Sequence, residues 1–167
     1  MAAVNLVTKL RWIPIRDEIL TELLAVPSVV LAHPFMRWDG VKNANEQRFQ
    51  KLHIPNDGKG IVNAWAISRE SESREFLTNR EYLCTMAVDL HFWYSLNDSE
   101  ASQDTFDEIV DDVLDQFENP LRLNCEAELQ GPIQLASVDV RYLAGKLTHH
   151  ALLQTTVSHR VFTNSFR

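Results

Sequence analysis

"LTHHALLQTTVSHR", residues 147–160, decides how this chain folds, and it carries three of the six histidines. From Thr148 to Arg160 there is no Gly or Pro, and Thr, Val and Leu dominate. That composition suits a pleated, half-buried strand. Ala151, Leu153, Val157 and Val161 fall at odd positions; Gln154, Thr156, Ser158 and Arg160 fall at even ones. The alternation has period 2, with one apolar face and one polar face. His149 and His150 therefore point to opposite faces. His159 lies ten residues beyond His149, roughly 33 Å along a strand. Zinc ligands must converge at about 2 Å from a single ion, which these three cannot do together. The pattern predicts strand histidines in cross-strand or subunit contacts.

Working outward, "EYLCTMAVDLHFWYSL", 81–96, predicts a second long strand. One face holds Tyr82, Cys84, Met86, Val88, Leu90, Phe92 and Tyr94; the other holds Thr85, Asp89, His91, Trp93 and Ser95. Residues 60–70 and 132–143 predict two more strands, with "AGK" a tight turn before the last one. Residues 14–26, "PIRDEILTELLAV", place Ile15, Ile19, Leu20, Leu23 and Leu24 on one helical stripe. Pro14 suits a first turn and Pro27 ends the helix. After an "NDSE" cap, Phe106, Ile109, Val110, Val113, Leu114 and Phe117 make a full apolar stripe, and Asn119-Pro120 stops that helix. Two polar stretches, 33–59 and 69–80, read as long loops. The 167 residues predict one domain of α+β class. Its antiparallel or mixed sheet has four or more strands, with an N-terminal helix and a long acidic amphipathic helix packed on it.

Composition narrows the function. At 45% hydrophobic and 23% charged residues, the chain reads as an ordinary soluble domain. Cys84 and Cys125 form no spaced motif and read as reduced thiols. No apolar run approaches the ~20 residues that span a bilayer, and the first residues lack a secretory pattern. The net charge of −7 is concentrated: 98–118 holds nine acids and no Lys or Arg. Removing those nine from the 23 acids leaves 14 against 16 bases. There is no basic stripe for a phosphate backbone. Asp104, Asp107, Glu108, Asp111, Asp112 and Asp115 sit on the outside of a regular helix. They read as an acidic surface, solvated or set to repel DNA or meet a basic partner. A calcium loop needs its oxygens wrapped around a turn.

No G-x-S-x-G, H-E-x-x-H, Cys–His signature or phosphate loop is present. The reading is of a protein without catalytic residues, cofactor or metal. Asp89 and His91 share a strand face and lack a nucleophile between them; Asp139 and Arg141 read as a surface ion pair worth under ~1 kcal/mol. Four tryptophans, Trp12, Trp38, Trp65 and Trp93, are a surplus of aromatics, divided between core packing and partner anchoring. The interface candidates are Trp38, Phe35, Phe49, Phe76, Trp93, His149 and His150.

The order of elements resembles the tail terminator (tail completion) proteins of long-tailed bacteriophages. The resemblance covers roughly residues 14–162. A strand ends in the aromatic-rich "VDLHFWYSLNDS"; a helix with Glu100, Ala101, Ile109, Val110, Val113, Leu114 and Phe117 follows directly; a late hairpin then closes on "LTHHALLQTTVSHRVF". The 33–59 segment and the 69–80 connection depart from the shorter relatives. The resemblance implies a virion structural protein, assembled in the host cytoplasm. It would form a homo-hexameric ring that caps the tail tube, ends its polymerisation and presents a surface to the head-completion or neck protein. DNA would pass through without sequence-specific binding, and no membrane is involved. On this reading the two long loops reach neighbouring subunits or the tube. Another neck component, a head-closure or head–tail joining protein, fits nearly as well. A small α+β enzyme or ligand-binding domain using Asp89, His91 and a pocket near Trp93 is the alternative from a different class.

Overall fold

The computed structural model describes residues 12–34, 60–97, 101–118, 123, 127–143 and 146–162. Helix α1 spans Trp12–Ala25; of the expected stripe it buries Ile15, Ile19 and Leu23, leaves Leu20 half-buried and exposes Leu24 at 48%. Pro27 cannot continue it. A short strand, β1 (Ala32–His33), then runs parallel to β2. β2 (Asn63–Thr78) and β3 (Glu81–Ser95) form one long antiparallel hairpin that closes on the pair Thr78 and Glu81. Helix α2 (Ser102–Gln116) follows, then β4 (Glu128–Leu129), β5 (Gln134–Leu143) and β6 (Lys146–Phe162). β6 pairs with β3 along its length; on its other side it takes β5 and then β4.

The expected α+β layout, with a long acidic helix packed across a sheet, does not form. The described residues are mostly β, 53% strand against 26% helix, and the sheet curls into a half barrel with two short helices. Length explains this. β6 has 17 residues, roughly 56 Å of strand. α2 has 15, roughly 22 Å of helix. A helix of that size cannot cover such strands, so the sheet buries its apolar face largely by curling on itself. Trp65 and Ile67 of β2, Met86, Val88, Leu90 and Phe92 of β3, and Ala151, Leu153 and Val157 of β6 form that core. α1 adds Ile15, Ile19 and Leu23, and α2 adds Phe106, Ile109, Val110 and Val113.

The 69–80 loop is also corrected. β2 continues to Thr78, with bulges between Arg69 and Ser71 and between Phe76 and Thr78, so the connection is only Asn79-Arg80. The outer half of β2 is exposed on both faces. Such a strand has no apolar alternation to betray it; its backbone pairing with β3 makes it a strand. The 33–59 loop lies outside the described residues from position 35 onward.

Helix α2 starts differently from the expected cap. Ala101 takes the N-cap position in the left-handed region (φ 51°, ψ 46°) with no side-chain cap bond. Ser102 instead accepts the Asn97 N–H at 2.8 Å and meets His149 Nε2 at 3.0 Å, tying the helix start to β6.

Candidate functional site

The two faces of the sheet separate the histidines as the alternation requires. His149 faces the core. It bonds Ser102 and lies 5.2 Å from the Phe106 ring, at the end of a stack running Trp65–Phe92–Phe106 with spacings of 4.4 and 5.3 Å. His150 is fully buried on the opposite face.

On that outer face a row of side chains crosses four adjacent strands. Ser68 Oγ of β2 lies 3.4 Å from His91 Nε2 of β3; His91 Nδ1 lies 3.3 Å from His150 Nε2 of β6; His150 Nδ1 lies 3.1 Å from Asp139 Oδ1 of β5. Arg141 closes the row on Asp139 through two nitrogens at 2.8–3.0 Å. The proton positions follow from its charged end. Arg141 holds the Asp139 carboxyl below its usual range, so it is an acceptor. His150 must then donate from Nδ1 and accept at Nε2. His91 donates from Nδ1 and accepts at Nε2, which leaves the Ser68 hydroxyl as donor. Burial lowers both imidazoles, His91 below its ordinary value and His150 to about 4, so both rings are neutral at pH 7. Trp93 roofs the pair, its ring 5.7 Å from His91 and 5.5 Å from His150. With Val62 and Ala66 it forms a small second core on this face.

Chemically the row is a polarised hydrogen-bond chain. Serine, base and orienter stand in series, as in nucleophilic catalysis. Two features set it apart from that. The Ser68 contact is long at 3.4 Å. Of the two recesses described, the one of about 550 Å³ is lined by Tyr94, Asn97, Ser102 and Thr105, and the one of about 320 Å³ by Glu70, Asp89 and Gln154; Ser68, His91 and His150 line neither. Asp89 is not the partner of His91: it accepts from Gln154 Nε2 at 2.9 Å. The row links β2, β3, β6 and β5 through their side chains.

Of the interface candidates, Trp93, His149 and His150 are buried in the fold and are not surface anchors. Phe76 is exposed, at 82%, near the tip of the β2–β3 hairpin, with the edge of Tyr82 against it at 6.3 Å. Trp38, Phe35 and Phe49 lie outside the described residues. Trp12 begins α1, half-buried under the Arg69 guanidinium at 5.8 Å, and Trp65 is core. Cys84 is a free, buried thiol; Cys125 lies outside the described residues. Asp104, Asp107, Glu108, Asp111, Asp112 and Asp115 are all exposed along one side of α2. Among the described residues no three His, Cys, Asp or Glu side chains converge to hold a metal, and no helix is long and apolar enough to cross a membrane.

Sequence reading missed Ser68, Ser102 and the role of Asp139. The last was accessible: with Leu143 paired with Lys146, counting back along both strands puts Asp139 opposite His150. No family model matches the chain, and no curated protein matches its sequence.

Proposed function

We propose that the chain is a structural virion protein of a long-tailed bacteriophage, a tail terminator. Copies form a ring that caps the tail tube, ends its polymerisation and joins it to the head-completion or neck protein. The observation that carries this reading is a pair of unfinished sheet edges. Among the described residues, the outer edge of β5 has no strand beside it, and β2 has one only at Trp65 and Ala66. Unpaired edges are templates for pairing with another chain. A ring of identical copies uses two different patches per copy, which two opposite edges supply.

Two further features support it. The strand, helix and hairpin that carry the resemblance occur as β3, α2 and β5–β6, in that order. The acidic side of α2 is wholly exposed, a surface that either repels DNA phosphates around a channel or meets a basic partner such as the tube or neck protein. Assembly then takes place in the host cytoplasm, and the protein ends in the tail or neck of the virion.

Negative-stain imaging of the purified protein tests the reading. Rings with an open centre and six-fold averages are expected, alone or on the ends of tail tubes. Single globules under both conditions would overturn it.

A further inference from the structure

The core-side face of the sheet is apolar beyond the part that the fold covers. In an antiparallel pair, residues directly opposite share a face. Leu135 is opposite Leu153, Val138 opposite Ala151 and Val140 opposite His149, so these three belong to the core side of β5. Leu147 of β6 has the same parity as His149 and lies on that side too. Yet all four are 40–53% exposed. They form an apolar row beside the unpaired edge of β5.

A second exposed apolar feature lies at the opposite corner. Phe76 pairs with Tyr82, and Tyr82 with Val161. Phe76 is thus on the core side as well, near the hairpin tip, with Leu77 exposed next to it. From Val161 back to Ala151 is ten residues of β6, and three strand spacings separate β2 from β5. Together these put Phe76 and Val138 roughly 35 Å apart along the sheet. Met86, Val88, Leu153 and Val157, all buried, lie between them. A Phe side chain cannot cross that distance, so these two surfaces cannot meet within one copy.

We infer that they meet between copies: the hairpin tip bearing Phe76 and Leu77 docks on the Leu135, Val138, Val140 and Leu147 row of a neighbouring copy. The occupant is a second copy because the chain itself supplies the complementary surface. The contact is heterologous, one patch against a different one, and repeats around a ring. On the same strand Glu72 is bonded by Arg69 at 2.9 Å and by Arg74 at 2.6 Å, so these charges are paired within the hairpin, and Phe76 is left exposed beside them. This contact rests on the ring reading and names its interface.

The test uses the full chain and single-cysteine additions at exposed positions. Phe76→Cys and Val138→Cys are prepared separately, mixed, and treated with a short bis-maleimide; Cys84 is buried, and the unmodified chain controls for Cys125. Crosslinked dimers are expected from the mixture and not from either variant alone. In parallel, Phe76→Ser should require roughly ten- to a hundredfold more protein to assemble than the unmodified chain, the effect of exposing one buried Phe per contact. If the unmodified chain assembles but the mixture gives no crosslink and Phe76→Ser assembles normally, the contact is wrong and the ring reading stands. Crosslinking of Phe76→Cys with itself would overturn the contact, as would a Val138→Cys thiol shielded from maleimide in the monomer. An unmodified chain that never assembles removes both.

Discussion

Lowering the pH should weaken the fold through His150, and the size of the effect can be worked out. The folded ring is held at about 4 against an ordinary 6.5. Burial is the main cause, and the Arg141 and His91 charges act in the same direction, while Asp139 opposes them. A folded value below the unfolded one means that the unfolded chain takes the proton first. Stability is therefore complete above pH 6.5 and declines as pH falls toward 4. The full span amounts to about 3 kcal/mol. Between pH 7.5 and 4.5 the loss is about 2.5 kcal/mol. His91, also lowered by burial, moves in the same sense. His150→Gln removes the titrating ring and keeps a polar group facing Asp139. Urea unfolding of both proteins at pH 7.5, 6.5, 5.5 and 4.5 isolates the contribution. At pH 7.5 the variant is the less stable, having lost hydrogen bonds in a buried row, by about 1–3 kcal/mol. As pH falls the wild type's advantage should shrink by about 2.5 kcal/mol. A difference that stays constant from pH 7.5 to 4.5 would refute a neutral, desolvated His150 and the proton assignment built on it.

Two other substitutions probe how the helix is attached. Phe106→Ala empties the end of the Trp65–Phe92–Phe106 stack at a fully buried site and should cost about 3–5 kcal/mol in chemical denaturation. Ala101→Gly relieves a non-glycine residue at φ 51°. It should stabilise by about 0.5 kcal/mol, the left-handed penalty less the entropy of glycine, seen as a higher Tm.

Much of the local structure is legible in the sequence because its signals are local. The period-2 alternation of 147–160 and 81–96 corresponds to β6 and β3 within a residue or so. The helical stripe of α2 points inward, and so does that of α1 except for Leu24, which is exposed. What escapes is set by pairing. The 69–78 stretch is polar on both faces, so only its bonds to β3 make it a strand. Its length, together with that of β3 and β6, moves the balance to β structure and curls the sheet, which no single segment reveals. The candidate site follows the same division. The opposite facing of His149 and His150 is written in their adjacency. That Ser102 and Asp139 are their partners depends on where α2 starts and on the register across the last hairpin. The polar strand face leaves Trp93 open to either core packing or partner anchoring; His91, His150 and Val62 packed around it decide for burial.

The central claim is self-assembly, and mass in solution tests it most directly. Light scattering after size exclusion, over a concentration series and with tail tubes added, should show six copies of the 19.2 kDa chain, about 115 kDa, either free or recruited to the tubes. A particle of one chain mass at every concentration that ignores the tubes would contradict the account. The row from Ser68 through His91 and His150 to Asp139 would then have to be examined as chemistry.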